Sequence, residues 1–256
     1  MKPAAALAAC VFLTACATAG APLPVIAPHG YLPASEIAPV ADRIASLGVP
    51  VEAAGSPVEP GTDRWWLAIA HAELRPPEAA QHFDCALGTR LATRPRPALT
   101  RLMARMLADA NALTRDAATK HGHSARPIVR DPGLEPCQRV TRAMRDSPSY
   151  PAAGAITGTL YGEAFAALAP DRAEQVRRIG REIGASRKIC RMNSASDVYA
   201  GAQGGRDLFP LIAASDEFRA DLEAARAEVA AARAEGLGNP SCAAERRALG
   251  LRPDAG

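Results

Sequence analysis

Residues 152–168 (AAGAITGTLYGEAFAAL) are apolar on nearly every face when set at helical spacing. A helix of that kind has no side to offer to water, so other elements must surround it. Gly154, Gly158 and Gly162 recur every four residues within it. Such a stripe suits a close helix crossing; no long apolar run surrounds it, so packing inside a soluble domain explains it better than a membrane dimer. The chain must therefore be built around one buried helix.

The flanking sequence is helical in pattern almost throughout. Thr62 or Asp63 is placed to cap a helix over 64–74, and apolar residues recur at three- and four-residue steps over 77–91 and 98–118. Leu102, Met106, Leu107 and Leu113 form the core stripe of the last of these. Asp171 with Glu174 has the form of an N-terminal capping pair for a helix leading to Arg187. Ser215 is placed to start a helix that runs to about residue 235, with its charges on a solvated face. No strand-like alternation of useful length occurs. Aromatic residues make up only 4% of the chain and alanine is abundant, which favours closely packed helices over a sandwich or barrel. The length of 256 residues is enough for a substantial core in one domain. The expected fold is all-α. A net charge of +3 gives no reason to invoke nucleic acid.

The first residues read as a targeting segment. Lys2 supplies a positive start, residues 4–14 form an apolar run too short to span a membrane, and Leu13-Thr14-Ala15-Cys16 looks like a bacterial lipobox. Cys16 would then carry the acyl chains, and Ala17 after it favours the outer membrane over inner-membrane retention. The alternative is a plain secretory signal with an incidental cysteine. The expected organisation is a signal peptide over 1–15, the lipidated Cys16 with a tether and loose lead-in over 16–61, and a folded domain over 62–256. The lead-in is rich in Ala, Pro and Gly up to Pro33, and carries Pro50, Pro57 and Pro60 further on. Beyond the leader, Cys85, Cys137, Cys190 and Cys242 suggest two disulfides in an oxidising compartment, with three pairings open. No two of them have close metal-ligand spacing, so no metal site is expected.

Three blocks carry chemistry: residues 120–127 (KHGHSARP), 149–154 (SYPAAG) and 186–197 (SRKICRMNSASD). In order and spacing they resemble the signature K-x6-R-P, P-S-G-H and S-R-x5-H-x3-D of the bacterial class A non-specific acid phosphatases, in the PAP2 and vanadium-haloperoxidase superfamily. The likeness extends over residues 149–232, and more weakly over 109–111 and 117–129. It implies an all-helical bundle with its site at helix ends, needing no cofactor. It implies that Arg126 and Arg187 bind phosphate and that Asp197 orients a nucleophile. It also implies a Cys137–Cys190 disulfide, which leaves Cys85 with Cys242. Lys120 stands one residue nearer Arg126 than the signature asks, and Thr119 holds the register position.

The reactive groups of the signature are missing. Gly154 stands where the family has its acid histidine, and Asn193 where it has its nucleophile. An amide nitrogen has no basic lone pair, and glycine has no side chain. His121 and His123 lie near the first block, but their two-residue spacing is poor for one helix face, and they read as a polar loop or helix-end pair. His29, His71 and His82 lie away from the blocks, and Ser186 has no histidine at a suggestive spacing. Arginine forks suit an anion pocket and a structural clasp equally well, so both uses of Arg126 and Arg187 stay open. The functional expectations are an exported, catalytically impaired relative of the phosphatases that keeps an anion site, a weak phosphomonoesterase with rewired chemistry, or a structural envelope lipoprotein. Expected partners are phosphate or a phosphorylated small molecule, a membrane through the lipid anchor alone, and a second copy of the chain, since the family often dimerises. The expected location is the periplasm, anchored to the outer membrane.

Overall fold

A computed structural model describes residues 29–47 and 58–251. The leader, Cys16 and most of the tether lie outside the described residues, as do Pro50 and Pro57. Among the described residues there are eleven α-helices, three short 3-10 turns and no strand. No helix there is long and apolar enough to cross a membrane.

The apolar segment forms α7 (Ala153–Leu168), and it sits at the centre. It packs most extensively on α8 (Ala173–Ile189) and next on α9 (Ala195–Ala214). The α7–α8 crossing is made backbone to backbone. A β-carbon on Gly158 would lie 2.5 Å from the Gly180 carbonyl oxygen, so only glycine permits that approach. On the other side lies α4 (Pro97–His121), whose Leu102, Met106 and Leu113 are fully buried while Leu107 is half-buried against them. α10 (Asp216–Ala234) closes the bundle with Phe218 and Val229. Ser215 caps it as expected, its hydroxyl accepting from Phe218 N. Two disulfides join Cys85 to Cys242 and Cys137 to Cys190, with Cα separations of 5.3 and 4.6 Å.

The folded body begins well before residue 62, which corrects the expected boundary. α1 (Ala34–Ala45) buries Ile37, Val40, Ala41 and Ile44 against α4 and α9. Pro39 lies inside this helix, and prolines at 33 and 39 made the segment look like tether. The residues ahead of it are tied down as well. The buried Asp109 of α4 accepts from Tyr31 N at 2.9 Å and from Leu32 N at 3.3 Å, and the Tyr31 hydroxyl donates to Asp221 at 2.9 Å.

Other local expectations shift. α2 (Asp63–Ala70) is capped by Thr62, whose oxygen accepts from Trp65 N at 3.3 Å, and it ends at Ala70 rather than 74. The 77–91 pattern is a 3-10 turn (Glu78–Phe83) followed by the one-turn α3 (Asp84–Leu87), stopped by Gly88 in the left-handed region. Asp171 and Glu174 do not cap α8. Asp171 lies in a 3-10 turn and pairs with Arg233 of α10, while Glu174 pairs with Arg181. A pairing two turns apart along α8 competes better here than a reach back to the helix start. Two short helices, α5 (Pro127–Arg130) and α6 (Arg142–Asp146), lie between α4 and α7, and α11 (Cys242–Ala248) follows α10.

Candidate functional site

The three blocks meet where α5 begins, α7 begins, and α8 hands over to α9. Arg126 has an extended backbone (φ −66°, ψ 151°), as the following proline favours, and Pro127 then opens α5. At the end of α8, Arg191 takes a positive φ of 60°. That turn folds the chain back, so that Met192 N and Asn193 N both donate to the Arg187 carbonyl, at 3.1 and 3.3 Å. Ser194 then caps α9 in a reciprocal box: its hydroxyl accepts from Asp197 N, and the Asp197 carboxylate accepts from Ser194 N at 2.7 Å. Ala152 N, just before α7, donates to the Asp197 carbonyl. The capping box and the turn thus bring residues 149–154 and 186–197 together.

Asn193 is 4% exposed and serves as a bridge. Its Nδ2 donates to the Ser149 carbonyl at 2.6 Å, and its Oδ1 accepts from Arg187 Nε at 3.3 Å. Asp197 does not orient Asn193. Its carboxylate is taken up by Ser194 N and by the Ser149 hydroxyl at 2.6 Å. The orienting role carried over from the signature is therefore not kept. With an amide in place of an imidazole, the aspartate turns to the nearest donors that remain.

Arg126 is a clasp. Its Nε donates to the Met144 carbonyl at 3.0 Å, its Nη1 to Met192 at 2.9 Å, and its Nη2 to Pro148 and to the Ser147 hydroxyl, both at 3.0 Å. Every nitrogen of the fork is thus held by protein, so Arg126 adds charge to the site but offers no nitrogen without a protein acceptor.

Arg187 is different. No hydrogen bond from either of its Nη atoms reaches another described residue; only Nε is bonded, to Asn193. Burial first, and the charge of Arg126 second, lower its guanidinium to about 10. It stays charged at neutral pH, in surroundings that penalise the charge. Its stem lies across the start of α7: a β-carbon on Gly154 would be 2.7 Å from Arg187 Cδ and 3.0 Å from Cγ. The volume beside residue 154 is therefore occupied by Arg187.

Lys120 points elsewhere. Its ammonium bonds to Asp42 at 2.7 Å, Asp116 at 3.3 Å and the Ala38 carbonyl at 3.1 Å, all against α1 or its own helix. Thr119 instead lines a hollow with Gly122, His123 and Pro148 beside the first block. One residue on a helix is about 100° of rotation, which is enough to send the lysine away. His121 stacks on Tyr150 at 3.8 Å and bonds to the Ala45 carbonyl, so it is held by α1. His123 is exposed.

One contact was not legible in the sequence. His71, 115 residues away, places Nδ1 2.9 Å from the Ser186 hydroxyl, which also accepts from Arg64 Nη1 at 3.0 Å. Ser186 is 1% exposed and His71 is 0% exposed, so this pair is a buried strut between α2 and α8 and not an open dyad. Ser149, the first residue of the second block, had no role marked by spacing, yet it joins Asn193 to Asp197.

Comparison with known proteins gives the same kinship. No family model matches the chain. The non-specific acid phosphatase of Salmonella typhimurium is 26% identical over 169 residues, 66% of this chain and 68% of that protein. The acid phosphatase of Zymomonas mobilis is 30% identical over 175 residues, 68% of this chain and 65% of that protein. The non-specific acid phosphatase of Providencia stuartii is 25% identical over 170 residues. Each match covers about two thirds of both partners. With the all-helical bundle and the ordered blocks, these relatives establish that the chain belongs to the PAP2-like non-specific acid phosphatase family.

Proposed function

We propose that this protein is an exported pseudophosphatase: it holds a phosphate-type anion at Arg187 and does not transfer the phosphoryl group. The observation that carries the reading is Arg187, a desolvated cation with two Nη atoms that find no acceptor among the described residues. The Nη atoms are not among the fully buried ones that lack a partner, so they are open to an incoming anion, and a phosphate oxygen pair matches a guanidinium fork. Arg126 adds a second positive charge close by, although each of its nitrogens already bonds to protein.

Phosphomonoester hydrolysis through a covalent route needs a nucleophile in line with phosphorus and an acid on the leaving oxygen. Asn193 supplies neither a nucleophilic lone pair nor an acidic proton, and both ends of its amide are engaged. Gly154 has no side chain, and Arg187 fills the space where one would extend. His121 is held against Tyr150 and α1, and so is not a relocated base. What these groups support is binding without turnover.

Export rests on the apolar leader, the Leu13-Thr14-Ala15-Cys16 sequence and the two disulfides, which suit an oxidising compartment. Acylated Cys16 would tether the domain to the outer membrane. Loss of fatty-acid labelling in Cys16→Ser tests that part.

Calorimetric titration of the full chain with inorganic phosphate tests the anion site. Millimolar or tighter binding is expected, and Arg187→Ala should remove it. Absence of binding at millimolar phosphate, or unchanged binding in Arg187→Ala, would refute the site. Phosphate-ester turnover that Arg187→Ala abolishes would favour a working phosphomonoesterase instead.

A further inference from the structure

A hollow of about 530 Å³ lies between α3, α8 and α11. Its walls are tied to one another. The Cys85–Cys242 disulfide joins α3 to α11, and Arg178 Nη2 of α8 donates to the Leu249 carbonyl, just past α11, at 3.1 Å. Ala86, Ile179 and Leu251 give the hollow an apolar lining. Four arginines, Arg172, Arg178, Arg181 and Arg246, line it against three carboxylates, Glu174, Glu182 and Glu245.

Most of these charges are already matched. Glu174 pairs with Arg181 at 2.6 Å, and Glu182 pairs at 3.0 Å with Arg64 of α2, which does not line the hollow. Arg172 leans on Asp171 at 3.6 Å. Two half-buried arginines keep donors to spare. Arg178 bonds through Nη2 alone, so its Nε and Nη1 have no acceptor among the described residues. The Arg246 guanidinium makes no hydrogen bond or ion pair with another described residue. Glu245 is the one carboxylate left to oppose them. Burial, and then Asp84 behind it, raise its carboxyl to about 7, against a weaker opposing effect of Arg246. Near neutral pH, Glu245 is therefore protonated about half of the time, and the free charge of the hollow is positive.

We propose that this hollow binds a small organic dianion, one acidic group on Arg246 and the other on Arg178, with its carbon skeleton against Ala86, Ile179 and Leu251. The two forks come from different helices, so a ligand with two acidic groups uses both, and each fork matches a carboxylate or phosphate oxygen pair. The volume suits a single-ring dicarboxylate. None of these residues belongs to the anion site at Arg187, so each site stands or falls alone.

Calorimetric titration of the full chain with three probes tests it. Isophthalate carries two charges, benzoate one, and benzyl alcohol none. Isophthalate is expected to bind at millimolar concentration or below, and benzoate about tenfold more weakly, as loss of one charge-assisted contact would give. Arg246→Gln should weaken isophthalate about tenfold; the guanidinium holds no other part of the fold, so the variant should fold. At about pH 8, where Glu245 is charged, Glu245→Gln should tighten isophthalate several-fold by removing the opposing charge. No binding of isophthalate at millimolar concentration would overturn the proposal. So would equal binding of benzyl alcohol, or unchanged affinity in Arg246→Gln or in Glu245→Gln. Binding that survives Arg246→Gln and is lost in Arg187→Ala would place the dianion at the other anion site, and overturns the proposal as well.

Discussion

Replacing Gly154 with histidine restores the family's acid residue on paper, and the structure predicts that it will do harm. The new β-carbon falls 2.7 Å from Arg187 Cδ and 3.0 Å from Cγ. Carbon atoms prefer about 3.5–4.0 Å, so the overlap is close to 1 Å before the imidazole is placed. Arg187 must leave, and its Nε bond to Asn193 goes with it. Overpacking of this kind costs about 1–3 kcal/mol, against at most about 1 kcal/mol gained by removing glycine from a helix. A net loss of about 1–2 kcal/mol should lower Tm by roughly 2–8 °C in a domain of this size. Scanning calorimetry on Gly154→Ala and Gly154→His reads the loss, and a phosphate titration on the same samples reads the displaced guanidinium. A Gly154→His protein as stable as the parent that binds phosphate equally well would refute the placement of Arg187 and the reasoning built on it.

Three other predictions follow from packing and charge. Gly158→Ala drives a β-carbon to 2.5 Å from a backbone oxygen of α8, which cannot rotate away; a loss of about 2–3 kcal/mol in urea unfolding is expected, and a neutral result would contradict the close crossing. Asp109→Ala strips the acceptor from Tyr31 N and Leu32 N and should cost about 2–3 kcal/mol, with faster hydrogen exchange at residues 31 and 32; unchanged exchange there would count against a docked N-terminal segment. Glu245 has a raised carboxyl, so the folded state holds its proton more firmly than the unfolded state between about 4.5 and about 7, and stability from this group falls as pH rises through that window. The effect is at most about 3 kcal/mol. Glu245→Gln should flatten the stability curve there, converging with the parent at lower pH, and parallel curves would show that Glu245 is not desolvated.

The parts of this fold governed by local pattern were legible in the sequence. The apolar run of α7, the stripe of α4 and the caps at Thr62 and Ser215 follow from spacing and side-chain chemistry alone. α1 was not, because Pro33 and Pro39 look like tether until the packing of Ile37 and Ile44 is known. Asp171 has the form of a cap, but Arg233 competes for it from a helix 62 residues away. At the site, sequence order brought Arg126, Arg187, Asn193 and Asp197 into one neighbourhood. It did not separate their roles. Which arginine is spent on carbonyls depends on where Met144, Pro148 and Met192 place their oxygens, and those loops have no periodicity to read. The His71–Ser186 contact spans 115 residues and had no sequence signal.

The absence of a covalent phosphoryl intermediate is the central claim, and acid quenching tests it most directly. The parent chain is mixed with a radiolabelled phosphomonoester and stopped during the incubation. No label should be found on the polypeptide, because Asn193 and Gly154 offer phosphorus neither a nucleophile nor an acid. Label on any side chain, lost when Arg187 is changed to alanine, would contradict the account.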